Sequence, residues 1–322
     1  MRRRTVLAAP LAAATLMLAH AQGRAEVGWL AYGEGVSDPN FSAFVFALRQ
    51  LGWREEANLV VLSRFSQSVA DLAASGYELL SRDIKVLVTV GVAATRVARE
   101  LTARIPIVFG SVVDVVGNGI VADPNRPEGN LTGVVYLEET IPKLMELARE
   151  LRPQAKGVAH LFEAVARGGP IPRGLVDVYS DAARRLGVIY RDFPITTVEE
   201  LPRTLDRAVA EGFDTLVVDN AGLLQFQRHP IVRYALERRM AAIGRERSFA
   251  TAGGLAAFGE DGPDLYRRVA AHVDKVLKGE PMRNIPVEQA SKFELVLNQR
   301  TATTLNVQIP PTLLARADEV IE

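Results

Sequence analysis

The sequence predicts an α/β protein built from two doubly wound parallel-sheet domains that are joined by a hinge. Short apolar runs alternate with longer amphipathic segments, and this alternation restarts near residue 157. Apolar strands with helices between them are typical of parallel sheets that are covered on both faces. The length of 322 residues also suits two domains of ordinary size.

The first unit contains five predicted strands. Residues 27–31 form the first strand, and Asp38 and Pro39 are the N-cap and first residue of a helix that ends at Gly52. The other strands are predicted at residues 59–62, 86–90, 105–109 and 131–135. The other helices are predicted at residues 67–82, 93–103 and 139–151.

The second unit repeats this pattern. Its strands are predicted at residues 157–162, 188–190, 215–218, near 242 and at 254–258. Its helices are predicted at residues 174–186, 198–211 and 229–240.

Residues 265–277 are predicted to form a long amphipathic helix after the second unit is already complete. We therefore expect the chain to cross back and to pack this helix on the first unit. Two crossings, the first near residues 136–139, would then form the hinge. The expected division is one lobe of residues 26–136 plus about 262–285, and a second lobe of residues 137–261. Residues 286–322 form a strand and helices that the sequence assigns to neither lobe.

Residues 1–25 are predicted to be a signal peptide, which places the protein in a periplasm. Three arginines, Arg2 to Arg4, precede an apolar run that is too short to anchor the chain in a bilayer. Residues 3–7 partly fit the twin-arginine export pattern, and small residues allow cleavage after Ala21 or Ala25. We do not expect the mature protein to be embedded in the membrane.

Charge and cysteine content exclude several classes of function. The chain has 38 basic and 38 acidic residues, and the loss of the three arginines would leave it slightly acidic. No nucleic acid partner is therefore expected. The absence of cysteine excludes disulfides, thiolate metal sites, a cysteine nucleophile and a lipoprotein anchor.

No constellation of residues in the sequence points to catalysis. The histidines at positions 160, 229 and 272 are dispersed without metal-ligand spacing, and no nucleophile elbow or phosphate-binding loop occurs. We predict no catalytic residue, no metal and no cofactor, and therefore a protein that is not an enzyme.

Polar and aromatic residues at the carboxyl ends of the predicted strands are the candidate ligand contacts. Ligands of doubly wound sheets bind there, beside free backbone N–H groups at helix N-termini. In the first unit the candidates are Tyr32, Ser37, Thr89, Gly91, Ala93, Ala94, Ser111 and Asp114. In the second unit they are Phe162, Glu163, Asp219, Asn220 and Phe258.

Several stretches, spread from residue 105 to residue 321, carry a family resemblance. They are residues 105–121, 126–133, 252–255, 266–279, 285–289, 292–298 and 309–321. These stretches resemble the tryptophan/tyrosine-type family of ABC transporter substrate-binding proteins. The resemblance implies a type I periplasmic-binding fold that closes on an amino acid or a related small organic ligand. It also implies an ABC permease as partner and neither catalysis nor a cofactor, and we expect a monomer.

The sequence departs from the family pattern near the expected ligand contacts. Val113 and Val115 flank Asp114 where the family has glycine and proline, and Glu163 replaces an asparagine. Gly244 stands where the family has a tyrosine. These exchanges are expected to change the ligand preference. Two alternatives stay open, a periplasmic sensor that presents its closed form to a membrane receptor and, more remotely, an enzyme.

Overall fold

The computed structural model describes residues 24–32, 35, 38–137, 140–164, 173–219 and 222–322. Within these ranges the strands form two sheets. All but the last two residues of the predicted signal peptide lie outside the described residues.

The elements follow the predicted alternation of strands and helices. The first part of the chain forms β1 (Ala25–Tyr32), α1 (Pro39–Gln50), β2 (Leu59–Ser66), α2 (Val69–Leu80), β3 (Ile84–Val90), α3 (Gly91–Leu101), β4 (Ile107–Val112) and β5 (Leu131–Val135). The middle part forms α4 (Thr140–Leu151), β6 (Val158–Glu163), α5 (Arg173–Leu186), β7 (Tyr190–Ile195), α6 (Leu201–Ala210), β8 (Thr215–Val218), α7 (Gly222–Phe226), α8 (Arg228–Glu237), β9 (Ala241–Gly244), α9 (Arg247–Thr251) and β10 (Ala256–Glu260). The last part forms α10 (Gly262–Leu277), β11 (Glu288–Gln289), β12 (Phe293–Asn298), α11 (Gln299–Leu305), α12 (Pro311–Leu314) and β13 (Glu319–Ile321).

The two sheets are doubly wound and predominantly parallel, as predicted. The first has the strand order β11-β5-β4-β3-β1-β2, and all of its pairs are parallel. The second has the order β13-β12-β10-β9-β8-β6-β7. Its β10–β12 pair is antiparallel, which the expectation of parallel sheets did not include.

Helix α1 shows how local signals and packing agree. The Asp38 carboxylate accepts hydrogen bonds from the backbone N–H groups of Asn40 and Phe41, and Pro39 is the first helical residue. The buried side of the helix carries Phe41 and Phe44, whose rings pack against Trp29 of β1. This contact fixes the start of the helix beside the end of β1.

The chain passes between the two sheets three times, not the two times predicted. It leaves the first sheet after β5 and returns after β10, and α10 packs Tyr266 against Trp29 in the core of the first sheet. The third passage lies between β11, in the first sheet, and β12, in the second. The sequence did not show it because β11 has only two residues.

The strand predicted at residues 188–190 was wrong, since β7 covers Tyr190–Ile195. Gly187 adopts a positive φ of 63° just after α5, and Ile189 is 67% exposed. Only Phe193 and Ile195 of β7 are buried, which is the alternation of an edge strand with one covered face. The apolar pair at 188–189 therefore belongs to the connection.

Candidate ligand-binding cleft

Two neighbouring cavities lie between the two sheets. The larger has a volume of about 240 Å³ and the smaller about 120 Å³. On the first sheet's side the larger cavity is lined by residues that include Tyr32, Asp38, Asn40, Gly91 and Ser111. On the second sheet's side the lining includes Gly222, Gln225, Arg228, His229 and Glu246. Residues from both halves of the chain thus form one cleft.

The two cavities meet at a polar junction. The residues that line both are Asp38, Asn40, Gln225, Arg228 and Glu246. The junction therefore brings together two carboxylates, one guanidinium and two amides. Arg228 donates from Nη1 to the Gln225 carbonyl oxygen at 2.8 Å and forms no ion pair with a carboxylate in the described part of the chain. Its charge is available to a bound anion.

The first sheet's wall depends on special backbone positions. Gly91 begins α3 with a φ of 79°, and Val90 before it provides no side-chain cap. The free N–H groups of this first helical turn lie at the cavity wall. Tyr32 is nearly buried at the end of β1, and a Cβ added at Gly222 would lie 2.7 Å from its Cδ2 atom. Only glycine fits there in this arrangement of the sheets.

Three hydroxyl groups of the first sheet's side, those of Ser111, Tyr136 and Tyr266, form what we call the hydroxyl cluster. Ser111 Oγ donates to Tyr136 Oη at 3.0 Å and lies 2.9 Å from Tyr266 Oη. Tyr136 Oη donates to Glu246 Oε1 at 2.6 Å. The cluster thus reaches across the cleft to the second sheet's side.

A row of charged side chains follows the strand ends of the second sheet. Glu163 at the end of β6 accepts a hydrogen bond from the Leu223 backbone N–H at 3.3 Å, and burial raises the pKa of its carboxyl to about 7. Asp219 lies 3.6 Å from Arg245, and Arg245 lies 3.2 Å from Glu260. Burial lowers the pKa of Arg245, but the Glu260 and Asp219 carboxylates outweigh this and raise it overall. The arginine stays charged in the interior.

The structure brings three of the predicted first-unit contacts together. Tyr32, Gly91 and Ser111 all line the larger cavity. Asp114 lies in a different cavity, beside Val287, and its carboxylate accepts a hydrogen bond from Gly117 N at 2.7 Å.

The other predicted first-unit residues pack inside the first sheet's layers. Thr89 is fully buried with its Oγ1 atom 2.9 Å from that of Thr95. Ala94 is buried in the same core, and Ala93 packs against it. Ser37 lies outside the described residues.

The second-unit candidates that the structure describes are not among the residues that line the two cavities. Phe162 is buried and stacks on His160, with 5.1 Å between the ring centroids. Phe258 packs against the core beneath α4 and stacks on Phe293 at 6.5 Å. Glu163 and Asp219 end their strands as predicted, and Asn220 lies outside the described residues.

The polar junction itself was missed by the sequence reasoning. All five of its residues lie on or beside helices: Asp38, Asn40, Gln225, Arg228 and Glu246. Asp38 was recognised, but only as a helix cap. Nothing in the order of residues indicates that the starts of α1 and α9 face each other across a cleft.

Neither a metal site nor a membrane span occurs in the part of the chain that the structure describes. No group of three or more histidine or acidic side chains is placed to hold a metal ion there. No helix there is long and apolar enough to cross a membrane.

Comparison with known proteins gives consistent matches. The family model of ABC transporter substrate binding proteins matches residues 37–321. A tyrosine-binding protein of Clostridioides difficile is 26% identical over 267 residues, which are 82% of this chain and 76% of the relative.

Solved structures show the same fold. An ABC domain from Streptococcus pneumonia in complex with L-Trp superposes with a TM-score of 0.83 at 21% identity, covering 93% of this chain and 100% of that one. A periplasmic binding protein/LacI transcriptional regulator from Alkaliphilus metalliredigens, complexed with D-xylulofuranose, superposes with a TM-score of 0.54 at 12% identity, covering 84% and 96%. The predicted type I periplasmic-binding fold is confirmed.

Proposed function

Because the chain belongs to the family of ABC transporter substrate-binding proteins, we propose that it is the periplasmic solute-binding component of an ABC importer. In this proposal it binds an amino acid or a related small organic molecule between two lobes. The lobes close on the ligand, and the closed form delivers it to an ABC permease in the inner membrane.

The polar junction is the observation that carries this proposal. A free amino acid has one ammonium and one carboxylate group a few bonds apart. At the junction the carboxylates of Asp38 and Glu246 suit the ammonium, and the guanidinium of Arg228 suits the carboxylate. The free N–H groups at the start of α3 add a second place for a negative charge. The ligand side chain would then extend into one of the two cavities.

The names of the relatives make tyrosine and tryptophan the first ligands to test, since one relative is a tyrosine-binding protein and another was solved with L-Trp. The position of Gly244 argues for some difference in the site. A Cβ there would lie 2.4 Å from the Phe249 ring, so Phe249 fills the space that a larger side chain would need. We therefore include non-aromatic amino acids among the candidates.

The lobes in this proposal follow the sheets. The first comprises residues 26–136 and about 262–285 together with β11, and the second comprises residues 137–261 together with β12 and β13. The three passages between the sheets form the hinge. Only contacts that exist in the closed form can shift the equilibrium toward it, so the cleft residues of both lobes must act together.

A ligand screen tests the proposal. The purified protein is heated with each L-amino acid in turn, and positive results are titrated by calorimetry. A ligand at 100 times its Kd should add about 2.7 kcal/mol to the free energy of unfolding. Small-angle scattering should show a smaller radius of gyration at saturation. If no amino acid stabilises the protein, or if the radius stays unchanged at saturation, the proposal fails.

Transport and sensing can be separated in cells. Deletion of the gene should abolish high-affinity uptake of the radiolabelled ligand if the protein feeds an importer. A sensor would leave uptake intact and change only the transcriptional response to the ligand. Loss of uptake that returns with the wild-type gene, but not with an Arg228→Gln gene, would support the importer.

A further inference from the structure

Glu246 is the residue at which the second sheet's side of the cleft contacts the hydroxyl cluster. Three hydroxyl groups form a chain of hydrogen bonds that ends on its carboxylate, because Ser111 donates to Tyr136 and Tyr136 donates to Glu246. Ser111 Oγ is also within 2.9 Å of Tyr266 Oη. Hydrogen bonds in such a chain polarise and strengthen one another in a buried setting.

The members of this chain are all buried, so the contact is isolated from water. Tyr136 is 2% exposed, Tyr266 is fully buried, and Ser111 and Glu246 are each 8% exposed. Burial and the neighbouring Glu246 charge raise the pKa of Tyr136 well above its usual range. The hydroxyl therefore keeps its proton and stays a donor to the carboxylate.

The two oxygens of Glu246 have different surroundings. Oε1 accepts the Tyr136 hydrogen bond, and Oε2 accepts hydrogen bonds from Gln225 Nε2 and, at 3.4 Å, from Ser248 Oγ. Glu246 and Gln225 both line both cavities. One oxygen of the carboxylate is thus bonded to the first sheet's side and the other to the second sheet's side, at the wall of both cavities.

Tyr136 is fixed to the first sheet, whereas Glu246 moves with the second. The Tyr136 backbone N–H donates to Val112 O at 2.9 Å, which continues the pairing of β4 and β5. Glu246 lies between β9 and α9. The bond between them therefore joins the two lobes beside the first passage between the sheets.

From these contacts we propose that Tyr136 is a positioning residue that acts through Glu246. Its hydroxyl orients the Glu246 carboxylate for the ligand ammonium and helps to hold the lobes in the arrangement seen in this structure. This inference rests on the proposed binding function. It makes tight binding depend on this hydrogen bond between the lobes, because the bond holds the carboxylate in the orientation that the ligand ammonium needs.

A matched pair of variants tests the inference in the full-length protein. Tyr136→Phe removes the hydroxyl that bridges the lobes, and Tyr266→Phe removes a fully buried hydroxyl from the same cluster but leaves the Tyr136–Glu246 bond in place. L-tryptophan and L-tyrosine are the probes. The measurements are the Kd by calorimetry, the dissociation rate by stopped flow, the melting temperature, and the radius of gyration with and without the probe.

Tyr136→Phe should weaken binding by about tenfold or more, which is the usual effect of losing a hydrogen bond to a charged group. Most of this change should appear in the dissociation rate, because changes at a binding site usually alter that rate more than the association rate. Both variants should lower the melting temperature by similar amounts, because each loses a buried hydroxyl group that takes part in hydrogen bonding. Tyr266→Phe should nevertheless change the Kd by less than about threefold. Equal effects of the two variants on the Kd would overturn the inference, because Tyr136 would then have only a structural role.

The result also separates this inference from the proposed function. If the wild-type protein binds neither amino acid, that part of the proposed function fails. The inference is then decided by scattering from the unliganded proteins, where Tyr136→Phe should have a larger radius of gyration than both the wild type and Tyr266→Phe. Identical radii in that experiment would overturn it.

Discussion

Arg245 and Glu260 form a buried ion pair where the chain passes between its two sheets, with Nη2 and Oε2 3.2 Å apart. The same guanidinium donates to the Leu137 carbonyl at 3.2 Å and to Thr140 Oγ1 at 2.6 Å. The Glu260 carboxylate accepts a hydrogen bond from Leu137 N at 2.7 Å. The pair therefore ties the first passage, after β5, to the second, after β10.

Breaking this pair should strongly destabilise the protein. Arg245→Met removes the cation that lies beside the buried carboxylates of Glu260 and Asp219, and breaking such a buried pair costs about 3–5 kcal/mol. Urea unfolding of the variant and the wild type measures it. The control is Arg184→Met, which breaks an exposed pair with Asp181 and should cost less than about 1 kcal/mol. Similar small losses in both variants would contradict the structural role of Arg245.

The stability of the protein should respond to pH through Glu163. Burial raises the pKa of this carboxyl from 4.5 to about 7, so between these pH values the folded state holds a proton that the unfolded state has released. The contribution of Glu163 to the free energy of unfolding therefore falls as the pH rises through this window. Glu163→Gln, which stays neutral, should lack this fall.

The measurement for Glu163 is the melting temperature of Glu163→Gln minus that of the wild type, followed from pH 4.5 to pH 8. The difference should increase up to about pH 7 and then level off. Glu200→Gln is the control, because the hydrogen bond from the Thr196 backbone N–H lowers the pKa of Glu200 and places its effect below this window. A flat difference for Glu163→Gln would show that its carboxyl is not desolvated.

Arg228 should contribute directly to ligand affinity. Arg228→Gln removes the cation of the polar junction, and loss of a charged hydrogen bond to the ligand carboxylate should raise the Kd roughly tenfold to a hundredfold. Arg233→Gln makes the same change in net charge on the exposed side of α8, outside both cavities. Calorimetric titration with the ligand from the screen compares the two. A stronger effect at position 233 than at position 228 would move the anion site away from the junction.

The structure also favours one of the two predicted cleavage sites. The Ala25 backbone N–H donates to Asn58 O at 2.9 Å, and Ala25 pairs with Leu59 in the first sheet. Cleavage after Ala25 would remove this pairing, so we expect cleavage after Ala21 and a mature chain that starts at Gln22. The intact mass of protein from the periplasmic fraction measures this. A mature chain starting at Glu26 would contradict it, and Ala21→Glu should block processing.

Local signals predicted most of the elements. Asp38 and Pro39 marked the start of α1 because a cap and a proline act within one helical turn. The strands at residues 131–135 and 215–218 were found with their observed bounds because they are mostly apolar, and every residue in them is buried. The prediction failed at β7, where the partly exposed Asp192 and Pro194 alternate with the buried Phe193 and Ile195 along an edge of the sheet.

The candidate site was only partly predictable. Tyr32, Gly91 and Ser111 follow strands of the first sheet, and the general rule for doubly wound sheets identified them. Phe258 also lies near a strand end, but its side chain points to the helix-covered face, beside Lys143. The rule for doubly wound sheets predicts at which end of the strands a ligand binds, but not to which face of the sheet a side chain points. It therefore could not distinguish Phe258 from the residues that line the cavity.

The sequence by itself determined the alternation of strands and helices, the two-sheet class and the family, because these depend on periodicity and motifs within short stretches of chain. Only the tertiary structure decided the third passage, the antiparallel β12 and the polar junction. These features join residues far apart in the chain, as in the Tyr136–Glu246 contact, 110 residues apart. Their partners are selected by packing and burial, which a local pattern does not encode.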